Sequence, residues 1–400
     1  MIHLNNRKIK IPSIFLLWCG QGISSLFSAL YSFALSWYVI ELTDSSLQMG
    51  MILFISMIPK IFFSLYSGVI GDRVNKKYYL ILLNFIRFAV TILWSLSLIH
   101  RQITIIEIYT LTLFLSSIDA FFNPVYSALI PELLKEKNLS RAASFNQMIN
   151  RISMILAPSL AGILIIYFQL NEFIAINSIG FLIAAIFTFF ITSINSKLNT
   201  QKNNIIEDFK TGLHYFIKTK YLFWSVILIT IANIGVVSYN VNLANYINHS
   251  LKLSSNVYGI TLTSFSLGSF VSLTILTAVN LNKSRGKLYI WSLLAGGLLF
   301  FLIPYVHSPT GLYTVFFLIG FLFSITSTIS TTILFSVEEE EYRARILGIA
   351  SISSLLSPIG MIIWGAIGDV LSPGWAMGIS GFIIIATSIS GMLTQLYRYS

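Results

Sequence analysis

The chain contains twelve stretches that are each long and apolar enough to cross a lipid bilayer as a helix. A membrane-spanning α-helix needs about 20 apolar residues, and it satisfies its own backbone hydrogen bonds in a solvent that offers none. Hydrophobic residues make up 56% of the chain and charged residues 10%, whereas soluble proteins carry about 25% charged residues. The sequence therefore predicts an all-α integral membrane protein.

The apolar stretches fall into two groups of six, which predicts two six-helix halves. We expect a first half over 1–195, a polar linker over 196–220 and a second half over 221–400. Apolar positions three and four residues apart, from Ile206 to Lys218, favour an amphipathic helix on the inner leaflet, or a simple tether. The predicted spans are 12–40, 47–71, 79–99, 103–127, 141–167, 172–193, 221–247, 255–279, 288–306, 309–335, 346–370 and 375–396.

Basic residues indicate the orientation of the spans, because Lys and Arg are retained on the cytoplasmic side of helix ends. With both termini inside, 20 of the 25 Lys and Arg residues fall on the cytoplasmic side, three fall within spans, and only Arg101 and Lys252 fall opposite. The net charge of +10 is then a topology signal, with anionic lipid rather than nucleic acid as its neighbour. We expect a multi-pass cell-membrane protein with cytoplasmic termini.

A basic turn separates the second and third stretches and reads Gly-Val-Ile-Gly-Asp-Arg-Val-Asn-Lys-Lys over residues 68–77. It resembles the Gly-x-x-x-Asp-Arg-x-x-basic-basic signature of the major facilitator superfamily, which implies a secondary transporter of that fold. Similar transporters use this turn as a latch that holds the inner gate closed. The alternative is a helix cap with a positive-inside anchor. The residues that match the signature are Gly68, Asp72, Arg73, Lys76 and Lys77.

Further motifs resemble an exporter subgroup of the same superfamily. Residues 122–133 and 343–346 look like stretches of its macrolide-efflux and siderophore-export members. Pro158, Ala161 and Gly162 are similar to the Gly-Pro-x-x-Gly-Gly signature of proton-coupled antiporters, with alanine at two of the glycine positions. The resemblance implies inverted repeats, alternating access and drug:proton antiport.

Two features of the second half relate to the basic turn. The run from Glu338 to Glu341 offers counter-charges for the basic turn, or is a solvated loop. Residues 365–369, Gly-Ala-Ile-Gly-Asp, echo Gly-Val-Ile-Gly-Asp at 68–72, and an inverted repeat would place the two on opposite membrane faces.

Four ionisable residues of the first half fall inside predicted spans at a similar depth, and charges at such depth are functional hypotheses. Arg87 and Asp119 lie on consecutive spans, so we expect them to pair, because an unpaired charge there is expensive. The pair is either structural or a proton-coupling site in which Asp119 carries the proton. Glu107 is the other candidate proton carrier. The two remaining residues are Lys60 and Arg151.

Lys60 and Arg151 give the predicted cavity a surplus of positive charge, which favours an anionic substrate. Their side chains could instead snorkel toward the inner interface. Additional polar side chains at span depth could line the cavity or join helices. We take as candidate substrate-binding residues Gln21, Asn146, Asn150, Asn233 and Asn240, with Gln147 as a further polar neighbour.

Nothing in the sequence predicts catalysis, a metal or a cofactor. The five histidines fall in loops or termini without Cys or Asp at ligand spacing, and no phosphate-binding Gly-rich loop is present. The resemblance then implies a proton-coupled efflux transporter, which we expect to be monomeric. Its favoured substrate is an amphipathic, carboxylate-type siderophore, and a macrolide or multidrug pump is the alternative. Nutrient uptake is a third possibility.

Overall fold

A computed structural model describes residues 13–99, 103–134, 139–191, 219–278, 285–335 and 356–398. These residues are almost entirely helical and include no β-strand. The predicted amphipathic segment up to Lys218, the run Glu338 to Glu341 and the motif at 343–346 lie outside this set.

Six long helices form the first bundle, and their bounds agree with the predicted spans to within a few residues. Side-chain caps set several starts: Ser45 accepts from the Gln48 N–H, and Asn75 accepts from the Tyr78 N–H. The helices are α1 (Ser13–Thr43), α2 (Ser46–Arg73), α3 (Lys76–Ser97), α4 (Ile105–Glu132), α5 (Leu139–Leu164) and α6 (Leu170–Phe189).

The second bundle contains the remaining six spans. The structure describes the eleventh of the twelve spans only from Leu356 onward. Its helices are α7 (Lys220–Val236), α8 (Ser238–Asn245), a π-helix (Tyr246–Ser250), α9 (Ser255–Ala278), α10 (Arg285–Leu302), a 3₁₀ turn (Ile303–Tyr305), α11 (Pro309–Phe335), α12 (Ser357–Val370), α13 (Pro373–Met392) and a 3₁₀ turn (Gln395–Arg398).

The seventh predicted span is interrupted at Val237. The Ile234 carbonyl, which an uninterrupted helix would bond to the N–H four residues later, accepts from Trp364 Nε1 of α12 at 2.6 Å. A side chain that takes a carbonyl from the helical ladder is a recognised cause of a break. The span therefore consists of α7, α8 and one π-helical turn.

Each bundle is held by contacts among its own helices. In the first, α1 packs against α5 and α6, α3 against α6, and α2 against α4. In the second, α9 packs against α11, and α10 against α11 and α13. Contacts of α2 with α12 and of α5 with α9 join the bundles. This is the predicted twelve-span architecture, while the linker boundaries at 196–220 stay a prediction.

The two bundles together have two opposite ends, each marked by a turn between helices. We call the end with the α1–α2 turn at Asp44 the Asp44 face, and the end with the α2–α3 turn at Asn75 the Asn75 face. The charge pattern predicts that the Asp44 face is extracellular. Large apolar side chains such as Phe62, which is 65% exposed, cover the sides between the two faces, as a lipid-embedded protein requires.

Candidate functional site

The first inter-bundle contact joins α5 to α9 near the Asp44 face, and it uses the antiporter-like motif. Ser255 Oγ donates to the Gly162 carbonyl at 3.0 Å. A Cβ on Gly259 would lie 2.3 Å from the Pro158 carbonyl, so only glycine allows this approach. Ala161 is fully buried against α1. Pro158 and Gly162 thus form the α5 side of the first of two seams between the bundles.

The second inter-bundle contact joins α2 to α12, also near the Asp44 face. A Cβ on Gly50 would lie 2.5 Å from the Met361 carbonyl, and one on Gly365 would lie 2.8 Å from the Leu47 Cα. Small residues let two helix backbones approach closely in a membrane. Both seams therefore close the Asp44 face.

Toward the Asn75 face, α5 and α9 separate. Met154 accepts from Ser266 Oγ at 3.1 Å, the contact nearest that face among the hydrogen bonds described between these helices. Phe270 shares one face of α9 with Gly259 and Ser266, in an i, i+7, i+11 series, yet it is 50% exposed. The facing surface of α5 is exposed in the same region. A cleft between the bundles therefore opens toward the Asn75 face.

Arg151 lies in this cleft. It forms an i, i+4, i+7, i+11 series with Ile155, Pro158 and Gly162, the residues of α5 that face α9. Its side chain is exposed one turn beyond the last contact, near the middle of the helix. Among the described residues, no ion pair involves Arg151.

Lys60 also faces the interior. It follows Met49 and Leu53 in an i, i+4, i+11 series on α2; Met49 is buried and Leu53 packs against the main core. Phe62, two residues on, points the other way, toward lipid. Lys60 is half-buried near mid-helix and takes part in no ion pair of the described structure.

Arg87 and Asp119 form the expected ion pair near the middle of α3 and α4. The Arg87 side chain is 4% exposed and that of Asp119 41% exposed. The guanidinium lies 4.0 Å from the Phe122 ring centre and 5.4 Å from that of Phe181, and Nη1 donates to Asn84 at 3.4 Å. A buried cation is thus held between aromatic rings with a carboxylate that water can reach.

The Asp119 carboxylate is on the inner side of α4. Asp119 and Tyr126 are seven residues apart on one helical face, which also carries the buried Ile108. Tyr126 donates to Asn146 Oδ1 of α5 at 2.9 Å. The exposed part of Asp119 therefore faces the interior of the first bundle rather than lipid.

The structure separates the remaining polar candidates. Gln21 Nε2 donates to Ser25 Oγ at 3.4 Å within α1, whereas Asn150 is exposed on α5. Asn233 and Asn240, seven residues apart in the seventh predicted span, lie on either side of the Val237 break, in α7 and α8. Asn233 is half-buried and Asn240 exposed.

The basic turn is engaged within the first bundle. Gly68, Asp72 and Arg73 form the end of α2. Lys76 forms an ion pair with Glu132 of α4, and Lys77 Nζ lies 5.6 Å from the Phe189 ring centre of α6. These contacts are those expected of an anchor. With the cleft open, both lysines contact only helices of the first bundle in the described structure. Whether the turn also latches stays a prediction.

Sequence reasoning missed the polar layer that closes the Asp44 face. Asn242 Nδ2 donates to the Trp364 carbonyl at 3.1 Å, and Asn245 Nδ2 donates to Ser46 Oγ at 3.0 Å. Both asparagines are buried. The Asn242 bond joins α8 to α12 within the second bundle, and the Asn245 bond crosses to α2 of the first bundle. Two asparagines three residues apart in an otherwise apolar span were the sequence signal that could have indicated this layer.

Two bundles of six spans with a cleft between them, closed at one face and charged in the middle, define a secondary transporter of the major facilitator fold. The solved structure of the nucleoside transporter NupG shares this fold, with a TM-score of 0.77 and 14% identity, covering 98% of this chain and 100% of that one. A bacterial homologue of the iron transporter ferroportin, in an inward-facing state, gives 0.73 at 14% identity, covering 96% and 98%.

The chain belongs to the transmembrane secretion effector family (MFS_3), whose model matches residues 9–399. It is 26% identical to macrolide efflux protein A of Streptococcus pyogenes over 97% of this chain and 96% of that protein. It is 23% identical to the staphyloferrin A transporter of Staphylococcus aureus, over 96% and 94%. The protein is thus a multi-pass efflux transporter of the major facilitator type, and its family and structural neighbours are transporters rather than enzymes.

Proposed function

We propose that this transporter exports an amphipathic, carboxylate-bearing small molecule in exchange for protons. The observation that supports this most directly is the placement of Lys60 and Arg151. Both lie near mid-helix on faces turned into the protein, and neither has an acidic partner among the described residues. Cations in a cleft with low-dielectric walls concentrate anions.

The acidic residues do not offset this charge. Of the acidic side chains that the structure describes, only Asp119 lies mid-span, and Arg87 already pairs with it. Glu132 pairs with Lys76. The apolar cleft walls, with Phe270 among them, add the preference for an amphipathic molecule. A citrate-type siderophore combines these properties, and one relative is named for staphyloferrin A.

Asp119 is the proposed proton carrier. Protonation would neutralise the carboxylate and leave the buried Arg87 without its counter-charge. The protonation state therefore decides whether the first bundle contains an uncompensated buried charge. Glu107 is the weaker candidate. Its carboxylate accepts from the Thr104 N–H at 2.9 Å in a helix cap, and it lines a cavity of about 460 Å³ with Leu93 and Trp94, apart from the cleft.

The transport cycle follows from the closed and open faces. We propose that the Asn75 face and both termini are cytoplasmic, so that the cleft loads substrate from the cell. Closing it would bring α5 and α9 together around Arg151, while the seams at Gly162 and Gly365 separate. Lys76 and Lys77 would then become available to latch the closed cytoplasmic face. The protein is proposed to act as a monomer.

A macrolide or multidrug pump is the second candidate. The full-length similarity to macrolide efflux protein A favours it, as does the apolar character of the cleft. In that case Lys60 and Arg151 would be structural.

The test is substrate-dependent proton movement in inverted membrane vesicles, with a citrate-type siderophore and a macrolide offered in parallel. Arg151→Gln and Lys60→Gln are each expected to raise the KM for the siderophore about tenfold, the equivalent of one lost charge-assisted contact. Arg151→Lys should recover part of this. Lys287→Gln removes a cation that lies 5.9 Å from the Tyr397 ring, outside the cleft, and should change little.

Proton movement with the siderophore that is weakened in both Arg151→Gln and Lys60→Gln, and not in the Lys287 control, would support the proposal. Movement with the macrolide alone, unaffected by either of the two variants, would refute the anionic substrate and favour the second candidate.

A further inference from the structure

Asp369, the one acidic residue of α12, reaches across the boundary between bundles to the start of α2. Its carboxylate accepts from Ser45 Oγ at 2.5 Å, from the Ser46 N–H at 2.6 Å and from the Leu47 N–H at 3.3 Å. The first N–H groups of a helix have no partner within the helix, and a negative charge there is stabilised by the helix dipole. One side chain of the second bundle therefore caps a helix of the first.

We propose that Asp369 is the residue that holds the exit gate shut, and that the Asp44 face opens when this cap is broken. The three donors belong to one bundle and the acceptor to the other, so separation of the bundles must break all three bonds together. No role of this residue in substrate or proton binding is involved, and the inference does not depend on which molecule is carried.

The surrounding glycines explain how Asp369 reaches its donors. A Cβ on Gly368 would lie 2.0 Å from Asn242 Oδ1, and one on Gly365 would lie 2.8 Å from the Ser46 carbonyl. A larger residue at 365 would push the backbone of α12 away from α2, and one at 368 would displace the Asn242 side chain. The Gly-x-x-Gly-Asp pattern thus combines close approach with a capping carboxylate.

The cap has support on both sides. One layer deeper, buried Asn245 donates to buried Ser46, so the Asp369 bonds shield a polar contact that water would otherwise reach. Beside it, His249 Nδ1 lies 3.1 Å from the Asp44 carboxylate, a second contact between bundles. Asp369 itself is exposed, so water replaces its donors when the gate opens. This keeps the closure reversible.

The experiment measures the gate without substrate. In a Cys19→Ser background, nitroxide labels at Leu42→Cys and Leu371→Cys, both exposed at the Asp44 face on opposite bundles, report its opening through their distance distribution. Asp369→Asn keeps the size but removes the charge, and Asp369→Ala removes the cap. We expect both to raise the fraction at the longer distance, by about tenfold for Asp369→Ala, which loses three hydrogen bonds to a charged acceptor.

Glu172→Gln is the matched control, because Glu172 caps the Gln169 N–H at 2.6 Å within the first bundle alone. It should leave the distances unchanged. Ser45→Ala removes one of the three donors to Asp369 together with the Ser45 cap on the Gln48 N–H. It should give a smaller shift, and it covers the case in which the Asp369 variants fail to fold. Unchanged distances in the folded Asp369 and Ser45 variants would overturn the proposal, as would an equal shift in Glu172→Gln.

Discussion

Removing Asp119 should destabilise the protein far more than removing its partner Arg87. The pair is asymmetric: Arg87 is 4% exposed and Asp119 41% exposed. Asp119→Ala leaves a buried guanidinium between the Phe122 and Phe181 rings with no counter-charge. Arg87→Met leaves a carboxylate that water can reach, and the flexible methionine fills the slot between the rings.

The magnitudes follow from burial. Removing one partner of a buried ion pair costs about 3–5 kcal/mol, and we expect about 3 kcal/mol for Asp119→Ala because water can partly enter beside Asp119. Arg87→Met should cost about 1 kcal/mol, chiefly the lost contact of the cation with the aromatic rings. The double variant should resemble Arg87→Met alone, because the unpaired charge is then absent.

The assay is the free energy of unfolding in mixed detergent micelles for the four proteins of this double-mutant cycle. Equal losses for the two single variants would refute the reasoning, since they would mean that desolvation of Arg87 is not the dominant cost. A double variant less stable than Asp119→Ala would refute it as well.

Two further predictions concern the seam and the cleft. Gly259→Ala places a Cβ 2.3 Å from the Pro158 carbonyl, so we expect it to disfavour closure of the Asp44 face, visible as a longer label-to-label distance across that face. Tyr126→Phe removes the hydrogen bond that orients Asn146, and such a bond is worth about 1 kcal/mol. If Asn146 binds substrate, the KM should therefore rise about fivefold while kcat stays unchanged. An unchanged KM would exclude Asn146 from the site.

Most of the fold could be predicted because lipid makes apolar length decisive. Once about 20 apolar residues are needed per span, helix number and approximate bounds follow from counting. The Arg87–Asp119 pair was predictable for a related reason, since charges at equal depth on consecutive spans have few other partners.

The break at Val237 could not be predicted, because its cause lies about 130 residues away along the chain. Trp364 takes the Ile234 carbonyl only when α12 packs against α7. Asp369 is a similar case: the echo of residues 68–72 was visible, but its bonds to Ser46 and Leu47 depend on how the bundles meet. Contacts between helices that are far apart along the chain carry little local sequence signal.

Proton coupling through Asp119 is the central claim, and one measurement tests it most directly. Asp119→Asn and the matched Glu107→Gln are reconstituted in liposomes, and substrate movement is followed first as exchange without a gradient and then with an imposed pH gradient. We predict that Asp119→Asn retains exchange and loses gradient-driven transport, whereas Glu107→Gln retains both. Gradient-driven transport that survives in Asp119→Asn would contradict the claim, and its loss in Glu107→Gln alone would assign the proton to Glu107.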